Sequence, residues 1–182
     1  MSYYVFVDNS NVWIEGKYVS GINKGLASSL EEAHEKRIQD NSWTIDFGKL
    51  LYSVTDTKIA DIAEAILIGS KPTDKDSLWK AMEKAGFSVV NKSRNIANKE
   101  KQIDTGIVSV ICRYLYKNAK AGDTFVLVMG DSDYVPVLKD IKTEGIKCVV
   151  AFWEHASSEL KTGCDKFISL NNLLDKITYS SK

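Results

Sequence analysis

Tyr3-Tyr4-Val5-Phe6-Val7 is an aromatic and β-branched run that stops abruptly at Asp8-Asn9-Ser10-Asn11. A short stretch that is apolar at every position suits a strand buried on both faces of a sheet, and the polar residues after it mark a loop at the strand's carboxyl end. Strands of that kind belong to parallel sheets with helices on both sides.

The rest of the chain repeats the pattern. Glu64 to Ile68 forms a second strand that ends at Gly69-Ser70-Lys71-Pro72, and Phe87 to Val90 a third. Thr124 to Met129, Ile146 to Phe152 and Lys166 to Ser169 complete the set. Between them run helical periods. Phe47, Leu50, Leu51 and Val54 fall on one stripe of Thr44 to Thr55. Thr73 and Asp76 resemble a capping box ahead of Leu78, Trp79, Met82 and Ala85, with Gly86 closing that helix. Ile103, Ile107, Val110, Ile111 and Leu115 give another, and Asp133 to Glu144 a further one that stops at Gly145. Ala156 to Thr162 and Leu170 to Ile177 read as short helices. Alternation of this sort predicts an α/β fold, doubly wound, with a mostly parallel sheet covered on both faces.

Residues 16–42 fit the pattern least. Gly16, Gly21 and Gly25 interrupt it, and only Ser28 to Lys36 suggests a short polar helix. The stretch has too few apolar residues for a core, so it reads as an insertion within a single domain over residues 1–182.

Composition narrows the function classes. Hydrophobic residues are 44% and charged residues 26%, which excludes a disordered or fibrous chain. Lys and Arg together equal Asp and Glu at 24 each, so bulk positive charge does not drive binding to nucleic acid. Three cysteines, Cys112, Cys148 and Cys164, form no CxxC pair and read as buried thiols in a reducing compartment. No apolar run reaches the roughly 20 residues of a membrane span, and the first strand begins without a basic leader. A cytoplasmic protein with no membrane partner is expected.

In an open α/β sheet, ligands bind beyond the carboxyl ends of the strands. Here those ends carry aspartates: Asp8 after the first strand, and Asp131 and Asp133 in Gly130-Asp131-Ser132-Asp133 after the fourth. Asp104 opens an apolar helix behind the basic run Lys99-Glu100-Lys101. Each alone could serve as a turn former or helix cap. Converging on one sheet edge, they would repel one another unless a hard divalent cation such as magnesium or manganese held them. Carboxylate-bound cations beside a groove suit phosphoryl chemistry. A surface for a phosphate backbone is at hand: residues 71–101 hold eight basic and four acidic residues, an excess of four positive charges. Lys92, Arg94, Lys99 and Lys101 are expected in the loop leading to Asp104. Trp13 is a candidate base-stacking residue or a core residue.

Taken together, these motifs resemble the NYN domain, of the LabA-like branch of the PIN-like superfamily of nucleases. The resemblance rests on Val5 to Asn11, Ile68-Gly69-Ser70, Ser77 to Lys80 with Lys84 to Phe87, Lys99 to Asp104, and Leu127 to Pro136. It implies a PIN-like, Rossmannoid sheet and a ribonuclease dependent on Mg2+ or Mn2+. Asp8, Asp104, Asp131 and Asp133 would be both metal ligands and catalytic residues. Asn11, Ser10 and Ser132, with Lys92, Arg94 and Lys101, would face the RNA substrate. The implied reaction is attack of a metal-activated water on a phosphodiester, leaving a 5′-phosphate and a 3′-hydroxyl. A homodimer or a protein partner is compatible with this. Members of the group often carry one more acidic residue in the helix after Asp104, whereas Thr105 to Val110 has none. That departure implies a weaker second metal, or none.

Other readings fit less well. A haloacid dehalogenase-type phosphatase needs an acid two residues after its nucleophilic aspartate, where this chain has Ser10. A Toprim-like nuclease needs a glutamate ending the first strand, where Asp8 stands. His34 and His155 accompany no nucleophile elbow and read as surface histidines. The rival of a different class is a non-catalytic RNA-binding or scaffold module that keeps the fold with an incomplete acidic site.

Overall fold

The computed structural model describes residues 1–55, 61–70, 76–92 and 99–180, with the backbone alone at 70, 76–79, 91–92 and 99–105. Six strands form one sheet: β1 Tyr3–Asp8, β2 Ile62–Ser70, β3 Ser88–Lys92, β4 Thr124–Val128, β5 Lys147–Phe152 and β6 Lys166–Ser169. Their order is β3-β2-β1-β4-β5-β6, and every pairing is parallel. The winding runs outward through β2 and β3, then returns past β1 to β4. The order therefore reverses between β1 and β4, and that is where a doubly wound sheet opens a crevice.

Alternation along the strands divides the core in two. Val5, Val7, Leu67, Val126 and Val128 face α1 (Asn9–Asn23), α3 (Phe47–Thr55) and α4 (Asp76–Lys84), together with α8 (Leu174–Ile177). Tyr4, Phe6, Ile66, Phe125 and Leu127 face α5 (Lys99–Lys117), α6 (Val135–Thr143) and α7 (Ser158–Gly163). Both faces of β1 and β4 are covered, as near-continuous apolarity requires.

The structure departs from the sequence reading in three places that matter for the site. Asn9-Ser10-Asn11 is not a loop but the first turn of α1, with Asp8 as its N-cap. Gly16 and Gly21 do not interrupt that helix. Glycine costs about 1 kcal/mol inside a helix, yet a Cβ at Gly16 would collide with the rings of Trp43 and Trp153. The missing side chain lets those indoles pack against α1, and Trp153 Nε1 donates to the Val12 carbonyl at 3.0 Å. Within 16–42 the short helix stands as α2, Leu30–Glu35, and the buried Asp40 accepts from Ser20 Oγ at 2.7 Å to tie the stretch back to α1.

The third departure concerns α5, which begins at Lys99, so Asp104 sits in its second turn rather than at its start. Lys99 and Lys101 are helical and Lys92 ends β3, so none of the three lies in a loop. Arg94 is outside the described residues, as are Thr73 and the Lys71-Pro72 turn. No helix among the described residues is long and apolar enough to cross a membrane.

Candidate active site

Asp8 is almost wholly buried, at 3% exposure, because it ends a strand with neighbours on both sides. Its carboxylate is held by neutral donors. Oδ1 accepts from the Asn11 backbone N–H at 3.1 Å and from Ser10 Oγ at 3.2 Å. Oδ2 accepts from the Tyr134 hydroxyl at 2.9 Å. Burial raises the carboxyl's pKa, and these donors offset only part of that.

Asn11 links the two strand ends. Its Nδ2 donates to Asp131 Oδ2 at 3.1 Å, and its Oδ1 accepts from the Gly130 N–H at 3.2 Å. The first turn of α1 is thus stitched to the segment that leaves β4. Gly130 is required there: a Cβ would run into the Phe152 ring of neighbouring β5. Its carbonyl accepts from the Ser157 N–H at 2.9 Å, so the turn is fixed from both sides. Beyond it, Ser132–Tyr134 forms a 3-10 turn that points the Tyr134 hydroxyl back at Asp8.

The charges do not cancel locally. The Asp131 carboxyl is pushed up by burial first, then by the charges of Asp8, Asp133 and Glu15, with Asn11 partly offsetting them. Among the described residues no ion pair involves Asp8, Asp131 or Asp133. An oxygen-only donor set under mutual repulsion matches what a hard cation stabilises. Among the described residues no three His, Cys, Asp or Glu side chains already stand as a formed cation site. The Asp104 side chain lies outside them.

The structure brings Asp8, Ser10, Asn11 and Asp131 into direct contact, and places Asp133 near enough for its charge to act on Asp131. Ser132 is exposed beside them. Lys92 ends β3 on the same carboxyl edge of the sheet, two strands from β1. Trp13 is partly buried against the core, and Lys17 Nζ lies 4.1 Å over its ring, which suits a packing role better than an open stacking platform. The cysteines are free. Cys148 is buried, which pushes its thiol up to about 12, whereas Cys112 and Cys164 are only half-buried.

Sequence reasoning assigned no role to Tyr134, Gly130 or Glu15. Tyr134 and Gly130 lie within the acidic motif, but what they touch is set by partners far away in the chain. Glu15 offered no signal at all.

Among solved structures, the crystal structure of a protein of unknown function from Vibrio parahaemolyticus matches with a TM-score of 0.68. The alignment covers 98% of this chain and 96% of that one at 17% sequence identity, a likeness of fold. No protein with a curated description matches. The family model of the NYN domain matches residues 3–173, nearly the whole chain. The chain therefore belongs to the NYN domain family, a family of PIN-like nucleases.

Proposed function

We propose that this chain is a ribonuclease that hydrolyses phosphodiester bonds in RNA with the help of Mg2+ or Mn2+. The observation that carries the reading is the Asp8–Asn11–Asp131 constellation: two carboxylates at the crevice of the sheet, joined through one residue whose backbone N–H holds Asp8 and whose carboxamide holds Asp131, with no ion pair among the described residues to neutralise them. Asp8, Asp104, Asp131 and Asp133 would hold the cation. When bound, it would lower the pKa of an attacking water and take up charge on the phosphoryl oxygens.

The chain's own residues supply orientation. Tyr134, Ser10 and the Asn11 amide fix both oxygens of Asp8, and Asn11 holds Asp131 in register with it. The water oxygen attacks phosphorus, the bond to the 3′-oxygen breaks, and a 5′-phosphate and a 3′-hydroxyl result. Ser10, Asn11 and Ser132 line the substrate side in this reading. Lys92, Arg94 and Lys101 would take the RNA backbone along the carboxyl edge of the sheet.

One feature favours a second reading, a non-catalytic RNA-binding or scaffold module: Thr105 to Val110 adds no carboxylate to α5 after Asp104. End-labelled single-stranded RNA incubated with Mg2+, Mn2+ or EDTA separates the two. Fragments with 5′-phosphate ends that form only with the cation support the nuclease. Retention of RNA without fragments in either cation contradicts it and favours the module.

A further inference from the structure

Glu15 Oε2 is shared by two imidazoles: His155 Nε2 lies 2.8 Å from it and His34 Nε2 2.9 Å. The three residues come from separate parts of the chain, Glu15 from α1, His34 from α2 and His155 from the turn after β5. Burial alone would raise the Glu15 carboxyl, but the bonds and charges of His155 and His34 outweigh it and bring it down. The Tyr18 ring packs edge-on against His34 at 4.4 Å and holds that imidazole in place.

The cluster borders the aspartate crevice. Strand β5 is the neighbour of β4, and the His155 ring packs edge-on against Phe152 with centroids 5.7 Å apart. Phe152 is the ring that Gly130 makes room for, and Ser157, two residues past His155, donates to the Gly130 carbonyl at 2.9 Å. The Glu15 charge is also one of those that raise the Asp131 carboxyl. His155 is thus at the rim of the crevice, with its side chain 28% exposed. Its Nε2 is occupied by Glu15, and its Nδ1 makes no hydrogen bond among the described residues.

An imidazole oriented by a carboxylate through one nitrogen, with the other left open, is the arrangement of a proton donor or acceptor. We propose that His155 is the general acid of phosphodiester cleavage, passing a proton from Nδ1 to the leaving 3′-oxygen, with Glu15 as its positioning residue. This rests on the nuclease reading. Along α5 no carboxylate follows Asp104, so in this scheme charge on the leaving oxygen is met by a proton.

The step balances. The water oxygen forms the new bond to phosphorus while the bond to O3′ breaks, and its electron pair accepts the Nδ1 proton. His155 is left neutral, with Nε2–H still donated to Glu15. The attacking water releases a proton to solvent, and His155 takes one back.

A leaving group that needs no proton tests this directly. Wild type, His155→Gln and Glu15→Gln are compared in Mn2+ on an ordinary RNA and on one whose scissile 3′-oxygen is replaced by sulfur. His155→Gln is expected to lose about 10²- to 10⁴-fold on the oxygen substrate and to stay within a few-fold of wild type on the sulfur substrate, with Glu15→Gln in between. Equal losses on both substrates, or none on either, overturn the proposal while leaving the nuclease reading intact. A wild type that cuts neither substrate overturns that reading, and this one with it. Without RNA or metal, nitrogen-15 NMR at alkaline pH, where the proton donated from Nδ1 has already left, should show wild-type His155 as the Nε2–H tautomer, with the two tautomers mixing in Glu15→Gln. A mixed or Nδ1–H population in wild type would remove Glu15's role.

Discussion

Asn11 and Asp131 are 120 residues apart in sequence and 3.1 Å apart at the carboxyl edge of the sheet. The same carboxamide also accepts from Gly130, so one side chain reads both the backbone and the carboxylate that leave β4. Only the strand reversal beside β1 allows this, since it sets the first turn of α1 against the end of β4.

That relationship makes Asn11 an orienting residue whose loss leaves the core untouched. Asn11→Ala should bind Mn2+ about 10–100-fold more weakly, the usual consequence of removing a group that holds a ligand in place. Asn11→Asp should bind RNA less well in the absence of metal, because it adds a charge where two already repel. Calorimetric titration of Mn2+ checks the first point and filter binding in EDTA the second.

Tyr134 acts on the buried carboxylate from the other side. Tyr134→Phe removes the 2.9 Å donor to Asp8 Oδ2 while keeping the ring in the core. Loss of a hydrogen bond to a charged group costs about 1.5–3 kcal/mol, and urea denaturation at neutral pH should show a loss in that range. At pH 4 the loss should be smaller, because Asp8, whose pKa burial raises, is then protonated more fully.

Much of this was legible beforehand, for a physical reason. Most of the strands are short, nearly continuous apolar runs that end in polar residues, so pattern and length placed all six to within two residues. Helix starts were harder: Lys99-Glu100-Lys101 carries no apolar spacing, and Asp104 therefore read as the beginning of α5 instead of its second turn. Gly16 and Gly21 misled through their low helix propensity, which tertiary packing overrides: two tryptophans need the space at Gly16, and the backbone of residues 38–40 passes close to Gly21. His34 and His155 read as separate surface residues because nothing local reveals that one glutamate gathers both. Tyr134 meets Asp8 across 126 residues, a contact that no local pattern encodes.

Gly130→Ala tests whether the close approach of β4 and β5 positions the acidic turn. The new methyl meets the Phe152 ring, and overpacking of this kind costs about 1–3 kcal/mol. Metal affinity should fall along with stability. Adding Phe152→Leu should restore much of both; if stability returns without metal affinity, the turn is not what Gly130 positions.

Asp131 and metal are linked through charge. A carboxyl with a raised folded-state pKa destabilises the fold above that pKa, and the penalty disappears as pH falls through it. Metal-free Asp131→Asn should therefore be the more stable protein at pH 7, by under about 1 kcal/mol for so exposed a group. The difference should vanish toward pH 4. Mn2+ at a hundredfold excess over its dissociation constant should stabilise wild type by about 2.7 kcal/mol and the variant far less. Thermal melts across pH, with and without Mn2+, read out both effects.

Asp8, which ends β1, and Asp131, just past the end of β4, are the proposed cleavage site. The most direct measurement compares wild type with an Asp8→Asn, Asp131→Asn double variant on one end-labelled RNA in Mn2+, after circular dichroism shows that both are folded. Wild type is expected to give fragments, with none in EDTA, and the folded variant to lose at least about 100-fold. Equal cutting by the two proteins would contradict that site and place the chemistry elsewhere.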